Sequence, residues 1–335
     1  MKKCLLTKLN GNVENNEILK LGELRIMQSV IDEPTKNTQY YLVESSGGLS
    51  ASISNGYFTD ESLIANLGNH IDTTSPAHLH ISNSDSVISV FNKYYLTKIL
   101  SNNKTAKIVA ESLAFCKKLS YISSGIIGDI SLLKDCPLEN ISVENSEAYG
   151  DITVFSNKFK NENGNVVLNS KNIVGDISVF SGKKISILNL KLSGISGSIN
   201  GLTLPNVIWL ILPKSVSGDI TKISVANCNL VVNQSSVTGD VSKTNGIVRI
   251  IGPSSFRWGD GTPSNFISLD MVNFVTVAEI DRMLIKEAEL IEGVEKSDLT
   301  INVSCNSGSR TNASDNAVSV LKSHNVSIYI NGTEQ

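Results

Sequence analysis

The sequence predicts a mainly β protein with some α-helix, in which an N-terminal antiparallel β domain precedes a parallel repeat solenoid with helical C-terminal coils. Three observations favour this fold class: a Gly-Asp-Ile-like triplet recurring through the middle of the chain, short β-branched and aromatic runs before it, and amphipathic segments after it. With 335 residues, 41% apolar and 18% charged, the chain is long enough to bury a sizeable core. We place the three regions at 1–104, 105–273 and 274–335.

The first region alternates short β-rich runs with turn signals such as Asn55-Gly56. This pattern predicts a small antiparallel domain resembling a β-sandwich. Residues 105–117 carry apolar side chains at helical spacing and predict a helix that caps the first coil. The strand candidates are 23–26, 40–43, 49–53, 78–81 and 87–91.

The repeat is anchored on glycines spaced 20 to 25 residues apart. Apolar residues recur nine and seven positions before the anchors, as at Val166 and Leu168. Because residues two apart share one face of a strand, stacked copies predict a parallel sheet. The glycine suits a turn with positive φ or a close approach between coils. The anchors are Gly128, Gly150, Gly175, Gly197, Gly218, Gly239 and, in a degenerate last copy, Gly259.

Alternation assigns the positions ten, eight and six residues before each anchor to the outward face. The early coils place Lys118, Ser120 and Ile122 there, whereas the later coils place mostly apolar residues there. An exposed apolar patch usually marks a contact surface, for a partner or for a neighbouring subunit. The predicted binding residues are Ile208, Leu210, Leu212, Val231, Arg249 and Ile251.

Beyond residue 273 the apolar spacing changes from that of a strand to that of a helix. Val277, Ile280 and Leu284 fall on one helix face, and a shorter helix begins after Ser314 or Asp315. Each helix is followed by an alternating strand. We therefore predict two helical coils that close the same sheet.

Aspartates follow most anchor glycines and should stack in one column along the coils. A calcium ladder needs several oxygens per turn, whereas one carboxylate can accept backbone N–H bonds within its own turn. We interpret these residues as turn carboxylates, and His78 and His80 as surface histidines, and predict neither a metal nor a cofactor. The column comprises Asp129, Asp151, Asp176, Asp219, Asp240 and Asp260.

Composition and charge argue against several functional classes. The net charge is −3, with 29 basic and 32 acidic residues and no dense basic stripe, which disfavours nucleic-acid binding. No run approaches the roughly 20 apolar residues of a membrane span. The start offers no signal-peptide apolar stretch, and five scattered cysteines without a CxxC pair indicate reduced thiols. Without a GxSxG motif or phosphate loop, we predict no catalytic residues.

The repeat resembles the leucine-rich repeat, in the variant with the consensus LxxLxLxx(N/S)xLxGxI, over residues 116–270. Ile and Val replace Leu in most columns. The resemblance implies a solenoid with a parallel sheet on its concave face and short helical segments behind. A right-handed parallel β-helix of similar period is the rival architecture.

Residues 3–11 and 19–24 resemble the opening of repeat proteins encoded by crAss-like bacteriophages and mobile elements of Bacteroidales, and 310–318 is similar to their closing coils. Such proteins include tail and other virion components. The resemblance implies a virion structural or host-recognition role. We therefore predict a non-enzymatic virion protein, a tail fibre or tail-associated component, made in the host cytoplasm. We expect it to attach to other virion proteins through the N-terminal domain, with self-association and a host cell-surface receptor left open as further partners.

Two functions from other classes stay open. A β-helical tailspike depolymerase would cleave polysaccharide with paired carboxylates about 5 to 10 Å apart on an exposed face. An intracellular interaction module of a mobile element would never be packaged in a particle.

Overall fold

A computed structural model shows a mainly β protein with parallel strands and few helices. The chain divides into two compact units, residues 1–158 with 168–173, and residues 159–167 with 174–335. The predicted borders at 104 and 273 stay predictions. The structure describes residues 39–45, 49–53, 71–75, 78–81, 84–91, 96–101, 107–113 and 119–335 apart from 124, 145–146, 162, 233–234, 254 and 295–298.

The first unit combines antiparallel and parallel strand pairs. Antiparallel pairs join β1 (Gln39–Ser45) to β5 (Ser84–Phe91) and to β7 (Lys107–Val109), and join β4 (His78–Ile81) to β2 (Leu49–Ile53) and to β3 (Ile71–Ser75). β2 also pairs antiparallel with β6 (Leu96–Ser101). Parallel ladders run from β6 through β8 (Tyr121–Ser123) to β10 (Asn140–Val143), and from β7 through β9 (Gly125–Asp129) to β11 (Ala148–Asp151).

The first unit contains most of the predicted strands but not the predicted helix. Strands occupy the runs predicted at 40–43, 49–53, 78–81 and 87–91, whereas 23–26 and the opening segments 3–11 and 19–24 lie outside the described residues. The helix predicted at 105–117 is wrong, because β7 and a 3₁₀ turn, Ala110–Leu113, occupy its described part. Backbone pairing of β7 with β9 outweighs the local helical spacing.

The second unit contains two main parallel ladders. Its strands are β12 (Gly164–Leu168), β13 (Ile173–Asp176), β14 (Ile185–Asn189), β15 (Gly194–Ser198), β16 (Thr203–Leu204), β17 (Trp209–Leu212), β18 (Val216–Asp219), β19 (Ser224–Val225), β20 (Cys228–Val232), β21 (Ser236–Thr238), β22 (Ile247–Ile251), β23 (Ser268–Phe274), β24 (Thr300–Cys305), β25 (Ser327–Ile330) and β26 (Thr333–Glu334). The larger ladder runs in the order β12, β14, β17, β20, β22, β23, β24 and β25, and β26 joins it antiparallel. The other ladder runs in the order β13, β15, β18 and β21, and β16 pairs with β19.

One aliphatic residue per strand forms a continuous row in the core of the larger ladder. Its members pair in register along the sheet and are at most 1% exposed. Burial of each such side chain contributes about 1.5–3 kcal/mol, so the row holds successive coils together. The predicted parallel sheet is confirmed. The row is Val166, Leu188, Leu210, Leu230, Ile250, Leu269, Ile301 and Ile328.

Five aspartates of the column, Asp129, Asp151, Asp176, Asp219 and Asp240, cap the turns that follow them, as predicted, whereas Asp260 is exposed to solvent. Asp219 and Asp240 each precede a short 3₁₀ turn and accept a hydrogen bond from the backbone N–H two residues later, at 2.9 and 3.1 Å. The apolar residue that opens each turn, such as Ile220, is buried. The turns are Ile130–Asp135, Ile152–Phe155, Ile177–Phe180, Ile220–Lys222 and Val241–Lys243.

The anchor glycines fit over these capping carboxylates. Gly239 has φ +135°, and a Cβ there would lie 2.5 Å from Asp219 Oδ1 of the preceding coil. At the last anchor, Gly259, a Cβ would lie 2.4 Å from Asp240 Oδ2, and the Gly259 N–H donates to Asp240 Oδ1 at 2.9 Å. The Gly-Asp pair is therefore a contact between successive coils as well as a turn signal.

Two helices close the second unit, which confirms the helical C-terminal coils. α1 (Val277–Leu290) begins with a capping box in which Thr276 and Glu279 bond each other's backbone N–H groups. α2 (Asp315–Ser323) follows Ser314, but the Ser314 hydroxyl donates to Asp281 Oδ1 at 2.6 Å instead of capping that helix. Asp281 on α1 also accepts from the Thr311 hydroxyl at 2.7 Å, so one buried carboxylate ties the two helical coils together.

Glu287 of α1 is fully buried. Its Oε2 accepts a hydrogen bond from the Ile267 N–H at 2.9 Å, and its Oε1 has no partner within the described part of the chain. Burial raises the pKa of this carboxyl well above its usual range, because a charge there loses its hydration. Folding therefore favours the protonated form. The stability that neutral Glu287 contributes is full below the ordinary carboxyl pKa and is lost as the pH rises through the higher folded-state pKa.

We expect Glu287→Gln to make the unfolding temperature less sensitive to pH, because a neutral amide keeps the acceptor for Ile267 without the buried charge. Melting of the variant and the parent chain, compared between about pH 4 and 8, should show an advantage for the variant that grows with pH. Glu289→Gln on the exposed face of the same helix is the matched control. Parallel pH profiles for Glu287→Gln and the parent chain would contradict the assigned burial.

Candidate functional site: the outward face of the parallel ladder

Partly exposed apolar side chains line the outward face of the larger ladder in the second unit. Trp209 lies in register with Ile187 on one side and Asn229 on the other. In the neighbouring column Ile211, Val231 and Ile251 are consecutive partners on β17, β20 and β22. We call this surface the outward stripe; it consists of Ile187, Trp209, Ile211, Val231 and Ile251.

Four of the six predicted binding residues have the predicted orientation. Val231, Arg249 and Ile251 are partly exposed on this face, and Ile208 is 49% exposed just before β17. The backbone of Ile208 is held on both sides, because its N–H donates to the Ser186 carbonyl at 2.8 Å and its carbonyl accepts from the Asn229 side chain at 2.9 Å. Ile208 therefore forms an ordered apolar rim beside the outward stripe.

The orientation predicted for Leu210 and Leu212 is wrong. Both are completely buried, and Trp209 and Ile211 occupy the outward positions in their place. The buried residues Leu212 and Val216 are four positions apart, whereas their counterparts in the next coil, Val232 and Val237, are five apart. Because the turn at Pro213 is one residue shorter, counting back from the glycine assigns inward and outward positions on β17 one residue off.

Ladder pairing fixes the true phase, because Leu210 pairs with Leu188 and Leu230, which are both buried. The early-coil position Ile122 is also buried, contrary to the predicted outward orientation. Sequence reasoning missed Trp209 and Ile211 as surface residues. Aligning strand to strand, instead of counting from the anchor, would have found them.

Polar groups border the apolar stripe. The Asn229 amide is already bonded to the Ile208 carbonyl, and Asn302 donates to Asp270 Oδ1 at 3.1 Å. Arg249, between Asn229 and Ser268 in the ladder, differs from them. Its Nε is buried and has no hydrogen-bond partner among the residues that the structure describes. The stripe thus combines an aromatic anchor with aliphatic side chains, and the partly exposed Arg249 adds a guanidinium at its border.

Two ionisable side chains of the coils, Cys228 and Asp176, have surroundings that shift their pKa. Burial raises the pKa of the Cys228 thiol to about 12, so this cysteine stays protonated at neutral pH. Hydrogen bonds from Ser178 lower the pKa of Asp176, consistent with a capping carboxylate that is ionised. Within the described ranges, no three His, Cys, Asp or Glu residues lie close enough to hold a metal ion.

No protein-family model, curated protein or solved structure matches this chain. In the described residues, no helix is both long and apolar enough to cross a membrane. The functional inference therefore depends on the chain's own residues and on the short sequence resemblances.

Proposed function

We propose that this chain is a non-enzymatic structural protein of a bacteriophage virion, a tail fibre or tail-associated component that binds another protein through its outward stripe. The resemblance of residues 3–11, 19–24 and 310–318 to phage repeat proteins supports the virion setting. The N-terminal region then attaches to other virion proteins. A second copy or a host cell-surface receptor is the further partner.

The outward stripe is the observation that carries the protein-binding role. Protein interfaces draw most of their affinity from a few desolvated anchors, among which Trp, Tyr and Arg are enriched. Trp209 lies among Ile187, Ile211 and Val231 on paired strands, so its position is fixed before a partner arrives. Arg249, partly exposed at the border of the stripe, adds a guanidinium charge that a partner carboxylate would pair with.

The same face supports a non-enzymatic role. Along the two outward columns that pass through Trp209 and Ile211 in the second unit, the carboxylates are Asp270, which is bonded to Asn302, and Glu334, which lies three strands further along the ladder, or about 14 Å at the usual strand spacing. A glycosidase of the tailspike type needs two carboxylates about 5 to 10 Å apart. A face of aliphatic, aromatic and amide side chains suits docking better than hydrolysis.

We assign the repeats to the leucine-rich type in preference to the β-helix. The five 3₁₀ turns of the repeat region that open at Ile130, Ile152, Ile177, Ile220 and Val241 each begin directly after a Gly-Asp pair, which agrees with the short helical segments expected behind the sheet. The helices α1 and α2, placed between ladder strands, support the same assignment.

Mass spectrometry of purified particles tests the virion assignment. We expect the chain in particles at a constant ratio to the major structural proteins. Its presence in infected-cell lysate but absence from particles would favour the intracellular interaction module. Release of new reducing ends from purified capsular polysaccharide by the full-length chain would favour the depolymerase.

A further inference from the structure

A polar groove of about 550 Å³, lined by none of the outward-stripe residues, opens in the second unit. It lies at the carboxyl ends of neighbouring parallel strands, since Asn273 and Phe274 end β23 and Ser304 lies near the end of β24. Its volume falls within the range of small-molecule sites. The lining residues are Ser255, Asn273, Phe274, Val275, Ser304, Asn306 and Ser307.

Backbone pairing and side-chain bonds hold the groove open. Ser255 forms a parallel bridge with Asn273, which pairs in turn with Ser304. The loop that carries Asn306 is fixed by Asn331, whose Oδ1 accepts from the Cys305 N–H and whose amide donates to the Gly308 carbonyl, both at 2.8 Å. The groove is therefore preformed, which lowers the entropic cost of binding.

The chemistry of the lining is uncharged and rich in hydrogen-bonding groups. None of the seven lining residues carries a charge. The Ser255 hydroxyl and the Asn306 amide make no hydrogen bond to other residues that the structure describes. Val275, 59% exposed, adds an apolar surface, and Phe274, which is buried in a T-shaped contact with Trp258, backs the lining. This combination matches a ligand that has both hydroxyl groups and C–H faces.

The neighbouring backbone argues against two other ligand classes. The Glu279 carboxylate already accepts from the Val275 and Thr276 N–H groups at 3.1 and 2.9 Å. Its negative charge offsets the positive end of the α1 dipole, so the start of this helix does not attract an anionic ligand. Both β23 and β24 are paired on their two sides, so neither offers a free edge to an extended peptide.

We propose that this groove binds a neutral saccharide unit. The Asn306 and Asn273 amides and the Ser255 and Ser307 hydroxyls bond its hydroxyl groups, while the exposed Val275 side chain contacts its C–H face. This site goes beyond the protein-binding role of the outward stripe and uses none of its residues.

Saturation-transfer difference NMR on the full-length chain tests this site. The probes are glucose, galactose and N-acetylglucosamine, with glucuronic acid and N-acetyl-Gly-Gly amide as charged and peptide comparisons. We expect transfer to at least one neutral sugar. Asn306→Ala should weaken that binding about tenfold or more, as loss of a paired amide contact does. Asn316→Ala, exposed on α2, is the matched control and should leave binding unchanged.

Ser255→Trp, which fills the groove from the opposite wall, gives a second variant, and circular dichroism confirms that each variant is folded. The proposal is overturned if no neutral sugar shows transfer, if both groove variants bind as the parent chain does, or if the peptide or glucuronic acid binds in preference. Particle composition does not affect this readout, so the groove and the virion assignment fail separately.

Discussion

Gly239→Ala is expected to lower the free energy of unfolding by about 1.5–4 kcal/mol, from two separate costs. The backbone at φ +135° disfavours any side chain, which costs about 1–2 kcal/mol. The new Cβ would also lie 2.5 Å from Asp219 Oδ1, which must move and release its bond to the Thr221 N–H. Loss of such a cap costs about 0.5–2 kcal/mol. Urea unfolding followed by circular dichroism measures the total.

Gly201→Ala separates the two costs. Gly201 also has positive φ, +78°, but a Cβ there would meet nothing within 4 Å, so this variant should incur the backbone cost alone. In an Asp219→Ala background the penalty of Gly239→Ala should shrink, because the obstructing carboxylate is gone. Equal losses at Gly239 and Gly201, with strict additivity at Asp219, would show that the coils do not interlock here.

In the last, degenerate copy of the repeat, the Gly-Asp pair keeps one of its two contacts. Gly259 is kept because Asp240 of the preceding coil lies directly against it. Asp260, by contrast, does not cap a 3₁₀ turn as its counterparts do, and its side chain is 96% exposed beside Arg282 at 3.7 Å. The glycine of a triplet contacts the aspartate of the preceding coil, whereas the aspartate caps the 3₁₀ turn that follows it. The final copy therefore keeps the glycine contact and lacks the cap.

The repeat, its core columns and the C-terminal helices could be predicted because each follows from local periodicity. Leu188 and Leu230 fall in the core by counting from their anchors, and Ile280 and Leu284 lie on the buried face of α1. Contacts between segments distant in sequence could not be predicted in this way. The tie from Asp281 to Ser314 spans 33 residues, and the groove unites positions 255, 273 and 304–307.

Adjacent residues on β17 provide the sharpest test of the corrected face. Leu210→Asp should unfold the second unit, because removing a fully buried leucine side chain costs about 2–5 kcal/mol and a buried unpaired carboxylate adds to that loss. Ile211→Asp places the same charge on the outward stripe, where the side chain is partly exposed, and should leave the fold intact. Circular dichroism and thermal melting of the full chain compare the two variants.

Measurements of association test whether the outward positions of β17 belong to a protein interface. If the outward stripe is a protein interface, Ile211→Asp and Trp209→Ser should abolish self-association in light scattering, or binding to particles that lack the chain, while both variants melt close to the parent. A desolvated apolar centre does not tolerate an unpaired carboxylate, whereas a solvated sheet face does. Thr203→Asp, an exposed position on β16, introduces the same charge outside the stripe and should keep full association.

A folded Leu210→Asp would contradict the corrected orientation of β17. If Ile211→Asp and Trp209→Ser stay folded and associate as the parent chain does, the corrected orientation of β17 would stand, but the stripe would not be the interface. The new charge would then lie on a surface that no partner covers.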